Sequence, residues 1–237
     1  MQNAYKPYRP LGGSETPMVV KNLLIINVLF FLAKLTLKVD LDQLLGLHFP
    51  TAPNFKVWQP ITYMFMHGDV MHIFFNMFGL WMFGRQLENY WGPKRFLTYY
   101  LITGIGAAIV HFTVFYFTQL QPFEARLALS FAPGSDEYRF LIEEALNAQV
   151  VVGASGALFG LLLAYGMLFP NTELMLIFFP VPIKAKFFVI GYGLLELYSG
   201  LQNNPMDNVA HFAHLGGMLF GFILIKYWNK TMRNRMY

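Results

Sequence analysis

Cysteine is absent from the 237 residues, so the chain has no disulfide framework, no thiol nucleophile and no Cys-ligated metal site. The same absence leaves the redox compartment unread. Charge is scarce as well: Asp, Glu, Lys and Arg make up 13%, against about 25% in an average soluble domain. Hydrophobic residues reach 56%, with 25 Phe and 13 Met, and the mean hydropathy is +0.43. So little polar surface does not cover a globule in water, which excludes a secreted or cytosolic globular protein and a disordered chain. A net charge of +4 is too small and too scattered to track phosphates, which excludes a nucleic-acid binder. What remains is an integral membrane protein.

Six apolar stretches have the length of a membrane-spanning helix, ~20 residues. They run at about 18–37, 68–87, 95–118, 149–169, 183–201 and 208–228. None shows the period-2 alternation of a barrel strand. No small-residue cleavage site follows a short apolar core, so the first stretch is not read as a removable signal. With the N-terminus placed inside, Lys and Arg in the connections and span ends divide twelve inside to four outside. The expected fold is an all-α bundle of six transmembrane helices with both termini cytoplasmic. Residues 1–17 form a short cytoplasmic segment, 18–228 the membrane domain and 229–237 a basic cytoplasmic tail.

Two connections exceed a simple turn. Residues 38–67 carry Leu44, Leu45, Leu47, Phe49, Phe55, Val57 and Trp58, punctuated by Pro50, Pro53 and Pro60. They are too apolar for a solvated loop and too broken for a span, which predicts a structure lying in the membrane interface. Within 119–148, Tyr138, Leu141, Ile142 and Ala145 fall at helical spacing and predict a short amphipathic outer helix.

Polar side chains inside spans are costly and therefore informative. Spans two, four and six all run from outside to inside. Span four begins near Gln149, which places Ser155 about six residues, ~9 Å, below the outer boundary at 1.5 Å per residue. Span six begins near Asn208, which places His214 at the same depth. Span two begins near Asp69, so His72 and Asn76, four apart on one helix face, lie about 4–10 Å down. Scattered packing polars would share this level only by coincidence. Gly156/Gly160 and Gly217/Gly221 are small-xxx-small pairs that let two helix backbones approach closely, as a Ser hydroxyl within hydrogen-bond reach of a His requires. No acid neighbours His214 in sequence, so a Ser–His dyad is expected, with Glu196 on span five kept open as a distant orienter. Asn76, His72 and the Ser155 backbone N–H are candidate oxyanion donors.

At this point the residues match a family. His72-x-x-x-Asn76, Gly153-Ala154-Ser155-Gly156 and Ala213-His214-x-x-Gly217-x-x-x-Gly221, in order on spans two, four and six, resemble the rhomboid intramembrane serine proteases. The resemblance covers roughly residues 18–228. It implies Ser155 as nucleophile, His214 as general base, His72 and Asn76 as oxyanion stabilisers, and Gly153 as the residue that lets substrate backbone approach. Glu88 resembles the family's structural acid at the inner end of span two. Trp58-Gln59 stands where many members have Trp-Arg in the first loop. Phe159 occupies a position that is often Tyr; it keeps a ring to lie under His214 and loses a hydroxyl. The resemblance further implies transmembrane protein substrates with small residues at the cleavage point, and no cofactor.

The remaining polar residues are weaker signals. His67 either lines access to the site or packs the loop, His111 is expected to pack, and His48 is uninformative. His67, His72, His211 and His214 have the chemistry of Zn ligands, but no His-Glu-x-x-His run accompanies them, so no metal is expected. Two rival functions compete with a protease. A catalytically silent binder of transmembrane helices would have lost Ser155 or His214, and both are present. A small transporter would show inverted repeats between halves, and none is found. The short tails favour a bacterial cell membrane over an organelle, with the site opening to the extracytoplasmic side. Membrane lipid and transmembrane substrates are the expected partners.

Overall fold

A computed structural model describes residues 16–176, 179–202 and 209–234. The segment through residue 15, Asp207 and Arg235, all counted in the charge asymmetry, lie outside the described residues. Helix α1 (Met18–Thr36) matches the first expected span almost to the residue. Its first-turn N–H groups have no intrahelical acceptor, and Glu88 supplies one: Val19 N donates to Oε1 at 3.0 Å and Val20 N to Oε2 at 2.8 Å. This ties the N-terminal end of α1 to the second helical rod.

The first connection folds as short pieces: α2 (Leu41–Leu45), β1 (Leu47–His48), α3 (Gln59–Thr62) and a single 3₁₀ turn over Tyr63–Phe65. Its hub is Gln59, which is fully buried. The Gln59 carbonyl accepts from His48 N and Lys56 N at 3.3 and 3.1 Å, and its amide donates to Asn54 O at 3.1 Å. Trp58, half-exposed, donates its indole N–H to Leu44 O at 3.1 Å. The loop is therefore pinned by a neutral amide at the position where many family members carry Arg.

Helix α4 (Val70–Gly79) starts where the Asp69 carboxylate caps His72 N at 2.9 Å. It continues through one π turn into α5 (Arg85–Trp91). Gly92, at φ +79°, turns the chain, and Pro93 at the first position opens α6 (Pro93–Phe115). A second π turn joins α6 to α7 (Gln121–Leu127), so this rod extends about nine residues beyond the expected end at 118. The amphipathic outer helix is α8 (Asp136–Ala148), capped by Ser135 Oγ accepting from Tyr138 N at 3.3 Å.

Span four departs from expectation at its start. Residues Val150–Val151 form β2, which pairs antiparallel with β1 in the register Leu47↔Val151 and His48↔Val150. Helix α9 (Ser155–Leu168) begins only at Ser155. The depth argument that counted helical rise from Gln149 is thus replaced by a helix that starts at the site. The physical reason is Gly153, whose φ of +128° breaks the run and whose N–H donates to Tyr63 O at 2.9 Å. A further element absent from the sequence expectation is the hairpin β3 (Glu173–Leu176) and β4 (Phe179–Lys184), paired Glu173↔Lys184 and Leu174↔Ile183. The fold is therefore a helical bundle with two small two-stranded sheets. Helices α10 (Ala185–Gln202) and α11 (His211–Asn234) close it.

Each of the six expected spans contains a helix. Among the described residues two, Met18–Thr36 and the continuous Pro93–Leu127, are long and apolar enough to cross a membrane by length and composition. The core lies where α6, α9 and α11 meet around Phe96, Tyr99, Tyr100 and Leu161, all fully buried. Tyr99 donates its hydroxyl to Gly160 O at 2.9 Å, across the α6–α9 seam. Around the outside, Leu29, Phe74, Ile109, Phe187, Leu194 and Phe222 are exposed, an apolar surface suited to lipid.

Candidate active site

Two glycines set the distance between α9 and α11. A Cβ at Gly217 would sit 1.9 Å from the Gly156 carbonyl oxygen, so only a bare Cα fits there. Beside this contact, from the residue before Gly156 and one turn before Gly217, Ser155 Oγ and His214 Nε2 meet at 2.8 Å. Gly221 lies against Gly160 one turn below, 3.4 Å from its Cα to an ideal Cβ. The small-residue stripes thus face each other, and the polar pair is carried near the N-terminal ends of both helices. Ser155 is half-buried, and His214 is 7% exposed.

The far side of the His214 ring is also held. Its Nδ1 lies 2.8 Å from Glu196 Oε2 on α10, and the same oxygen lies 2.6 Å from His211 Nδ1. The face of the ring stacks on Phe159, one turn into α9, with centroids 4.1 Å apart and planes 7° from parallel. Glu196 is in direct contact with the ring, closer than the distant orienter that the sequence left open. A neutral imidazole carries one N–H. With Glu196 accepting at Nδ1, the proton sits there and Nε2 presents its lone pair to the Ser155 hydroxyl.

Opposite this pair, α4 brings His72 over the Gly153 backbone. A Cβ on Gly153 would lie 2.8 Å from His72 Nε2 and 3.7 Å from Ser155 Oγ, so the imidazole edge borders the space in front of the hydroxyl. His72 Nδ1 accepts from Gly68 N at 3.3 Å. That fixes the tautomer: Nε2 carries the proton and is a donor toward Gly153. Asn76, one turn along, is buried and spends one amide proton on the His72 carbonyl at 2.8 Å, leaving its second. Ser155 is also the first residue of α9, where backbone N–H groups lack intrahelical acceptors and the helix dipole is positive. An anion in front of Ser155 would meet donors from two sides.

Outside this cluster, Lys34 in the last turn of α1 donates to His67 O at 2.8 Å and Gly68 O at 3.2 Å and pairs with Asp42 at 2.5 Å. It clamps the turn that holds His72. His67 is fully buried, its ring edge-on to His72 at 5.0 Å between centroids, so it packs the turn and does not line an opening. Sequence reasoning missed Lys34 and Gln59 as organisers of the first connection and the turn before α4; a Lys inside an apolar run was itself the signal. Among the described residues the group with metal-ligand spacing is Glu196, His211 and His214, with ligand atoms within 4.8 Å of one another. The sequence grouping of His67, His72, His211 and His214 is not brought together. The contacts of 2.6 and 2.8 Å within that group have the length of charge-assisted N–H···O bonds.

The described residues thus hold a polar cluster at the N-terminal ends of a glycine-seamed helix pair. A family model described as the rhomboid domain matches residues 54–230, and the chain belongs to the rhomboid family. Among curated proteins it is 32% identical over 177 residues to RHOMBOID-like protein 12, mitochondrial, of Arabidopsis thaliana, covering 74% of this chain and 46% of the relative. It is 29% identical over 174 residues to Rhomboid protein 1, mitochondrial, of Saccharomyces cerevisiae, covering 73% of this chain and 43% of the relative. RHOMBOID-like protein 7 of Arabidopsis thaliana is 30% identical over 172 residues, 72% of this chain and 44% of the relative. The matched region is less than half the length of each of these relatives. Rhomboid-family proteins are membrane proteins, and the family is generally one of intramembrane serine proteases.

Proposed function

We propose that this chain is an intramembrane serine endopeptidase that hydrolyses a peptide bond in or near a transmembrane segment of another membrane protein. The observation that carries the reading is the 2.8 Å approach of Ser155 Oγ to His214 Nε2 from two different helices, beside the His72 donor. In the proposed reaction His214 takes the hydroxyl proton as Oγ adds to the substrate carbonyl carbon. The resulting oxyanion is held by His72 Nε2–H, the Ser155 N–H and Asn76; each such donor is worth roughly 2.7–4 kcal/mol where removal has been measured in acyl-transfer enzymes. His214 then passes the proton to the leaving amine, the C–N bond breaks, and an ester forms on Ser155. Water, deprotonated by His214, hydrolyses that ester and restores the hydroxyl. The substrate helix must unwind locally, because its backbone is otherwise hydrogen-bonded within itself.

The domain of residues 18–228 spans the membrane six times in this reading, with both termini cytoplasmic and the site near the extracytoplasmic face of a bacterial cell membrane. In this reading water reaches Ser155, half-buried at the start of α9, from that face.

Fluorophosphonate labelling of detergent-purified protein tests the reading, with Ser155→Ala and His214→Ala beside the parent. The expected result is a labelled parent and two unlabelled variants. Labelling that survives Ser155→Ala moves the nucleophile elsewhere. A folded parent that is never labelled points instead to a silent rhomboid-like protein that binds transmembrane helices.

A further inference from the structure

On the protease reading above, Ser155 and His214 would be expected to act as a pair. We propose that Glu196 is the third member of the hydrolytic relay, a positioning residue that fixes the His214 tautomer and stabilises its charged form, with His211 holding the carboxylate in place. His214 is a base toward Ser155 only while Nε2 is unprotonated, so its single proton must sit on Nδ1. A buried Nδ1–H needs an acceptor. Glu196 Oε2, at 2.8 Å, is that acceptor. Without it the imidazole can place its proton on Nε2 and donate to Ser155, a tautomer that takes no proton from the hydroxyl.

The placement of the acid argues the same way. Glu196 is 5% exposed, on a helix whose other described neighbours Leu194, Leu195, Leu197 and Tyr198 are all exposed and apolar. A carboxylate buried in such surroundings is retained only with strong partners. It has two, and both reach the same oxygen: His214 Nδ1 at 2.8 Å and His211 Nδ1 at 2.6 Å. Two N–H donors occupy the two lone pairs of Oε2 and hold it at the edge of the His214 ring. A simple brace between α10 and α11 would account for burial, but not for the choice of the one nitrogen that governs the base. During acylation His214 becomes an imidazolium, and the adjacent carboxylate stabilises that charge without taking the proton. Ser155, His214, Glu196 and His211 thus form one hydrogen-bonded line across α9, α11 and α10.

The test uses the full chain in detergent, with fluorophosphonate labelling of Ser155 as one readout and ¹⁵N-histidine NMR as another. Glu196→Gln is expected to lower the maximal labelling rate by roughly 10²–10⁴-fold while leaving the reagent's half-saturating concentration unchanged. Glu196→Asp, which keeps the charge, is expected to recover part of the loss. In the NMR spectrum the His214 Nδ1 proton should lie far downfield, persist in Ser155→Ala and vanish in Glu196→Gln. A Glu196→Gln protein labelled within threefold of the parent, or no downfield proton in Ser155→Ala, overturns the relay. The Ser155→Ala spectrum decides the matter should Glu196→Gln fail to fold. A parent that is not labelled at all overturns the protease reading itself, whereas a labelled parent matched by Glu196→Gln overturns only the relay.

Discussion

The Phe159 ring lies flat beneath the His214 ring, 4.1 Å between centroids and 7° from parallel. Phe159 is four residues after Ser155, so one helix carries the hydroxyl to the edge of the imidazole and a plate to its face. The plate leaves the imidazole free to turn only in its own plane, where Glu196 and Ser155 hold its two nitrogens. Phe159→Leu should therefore loosen the base, and an aromatic contact of about 0.5–1.5 kcal/mol corresponds to a roughly 2–13-fold slower labelling of Ser155. Phe159→Tyr keeps the ring and is expected to label within threefold of the parent. Equal rates for the parent and the Leu variant would remove the plate from the mechanism.

Glu88 acts at the other end of the molecule. Its two oxygens take the N–H groups of Val19 and Val20, so a single carboxylate caps the first turn of α1 from the second rod. Glu88→Ala strands the buried Val20 donor, a loss of roughly 1–3 kcal/mol, and the half-buried Val19 donor beside it. The expected outcome is a clear fall in the unfolding midpoint in mixed micelles, with any labelling of Ser155 in the surviving folded fraction at the parent rate. A midpoint unchanged by Glu88→Ala would show that water replaces the cap.

Ser155, His214, His72 and Asn76 were legible because polar side chains are rare in apolar runs and their order on three spans is specific. The strand that precedes α9 was not legible. Gln149-Val150-Val151-Val152 is as apolar as a helix end, and hydropathy does not distinguish it from a strand that pairs with Leu47–His48. The bond between Glu196 and His214 crosses 18 residues and two helices, so only the three-dimensional packing brings it out. Gln59 was legible as a departure from the family's usual Arg, but its four loop partners follow from the loop's fold and not from its composition.

His67 gives the turn before α4 an acid dependence. Burial, then the neighbouring His72 and Lys34 charges, push its pKa from 6.5 down to about 3. The unfolded chain takes up a proton near pH 6.5, whereas the folded protein refuses it until about pH 3. The stability His67 contributes is therefore fully present above pH 6.5 and drains as the pH falls toward 3. His67→Phe, which keeps a ring and cannot be protonated, should flatten the fall in unfolding midpoint over that range. An acid limb identical in parent and variant would assign the loss to other groups.

Lys34 reaches the site through the turn His67-Gly68. Its ammonium bonds both carbonyls, and the Gly68 N–H in turn holds His72 Nδ1 at 3.3 Å. Lys34→Met keeps the apolar stem and removes the charge. The expected result is a several-fold slower labelling of Ser155, and little further loss when Lys34→Met is combined with His72→Ala, because residues acting through one contact are not additive. Full additivity in that cycle would mean that Lys34 acts elsewhere.

The seam between α9 and α11 makes the sharpest demand on side-chain size. A methyl at Gly217 would meet the Gly156 carbonyl at 1.9 Å and its carbon at 2.9 Å. Both are backbone atoms, so the strain has no flexible side chain to relax into, and the two helices must separate. Displacing a nucleophile from its base by on the order of 1 Å costs roughly 10²-fold in rate. Gly217→Ala should therefore lose labelling by that factor or more and unfold at a lower temperature. Gly191 on α10 is the control: a Cβ there meets nothing within 4 Å, and Ala is favoured over Gly inside a helix by roughly 0.8–1.0 kcal/mol. Gly191→Ala should match the parent in labelling and equal or exceed it in unfolding temperature. If both alanines behave alike, glycine content at large, and not the contact of Gly217 with Gly156, governs the approach of Ser155 to His214.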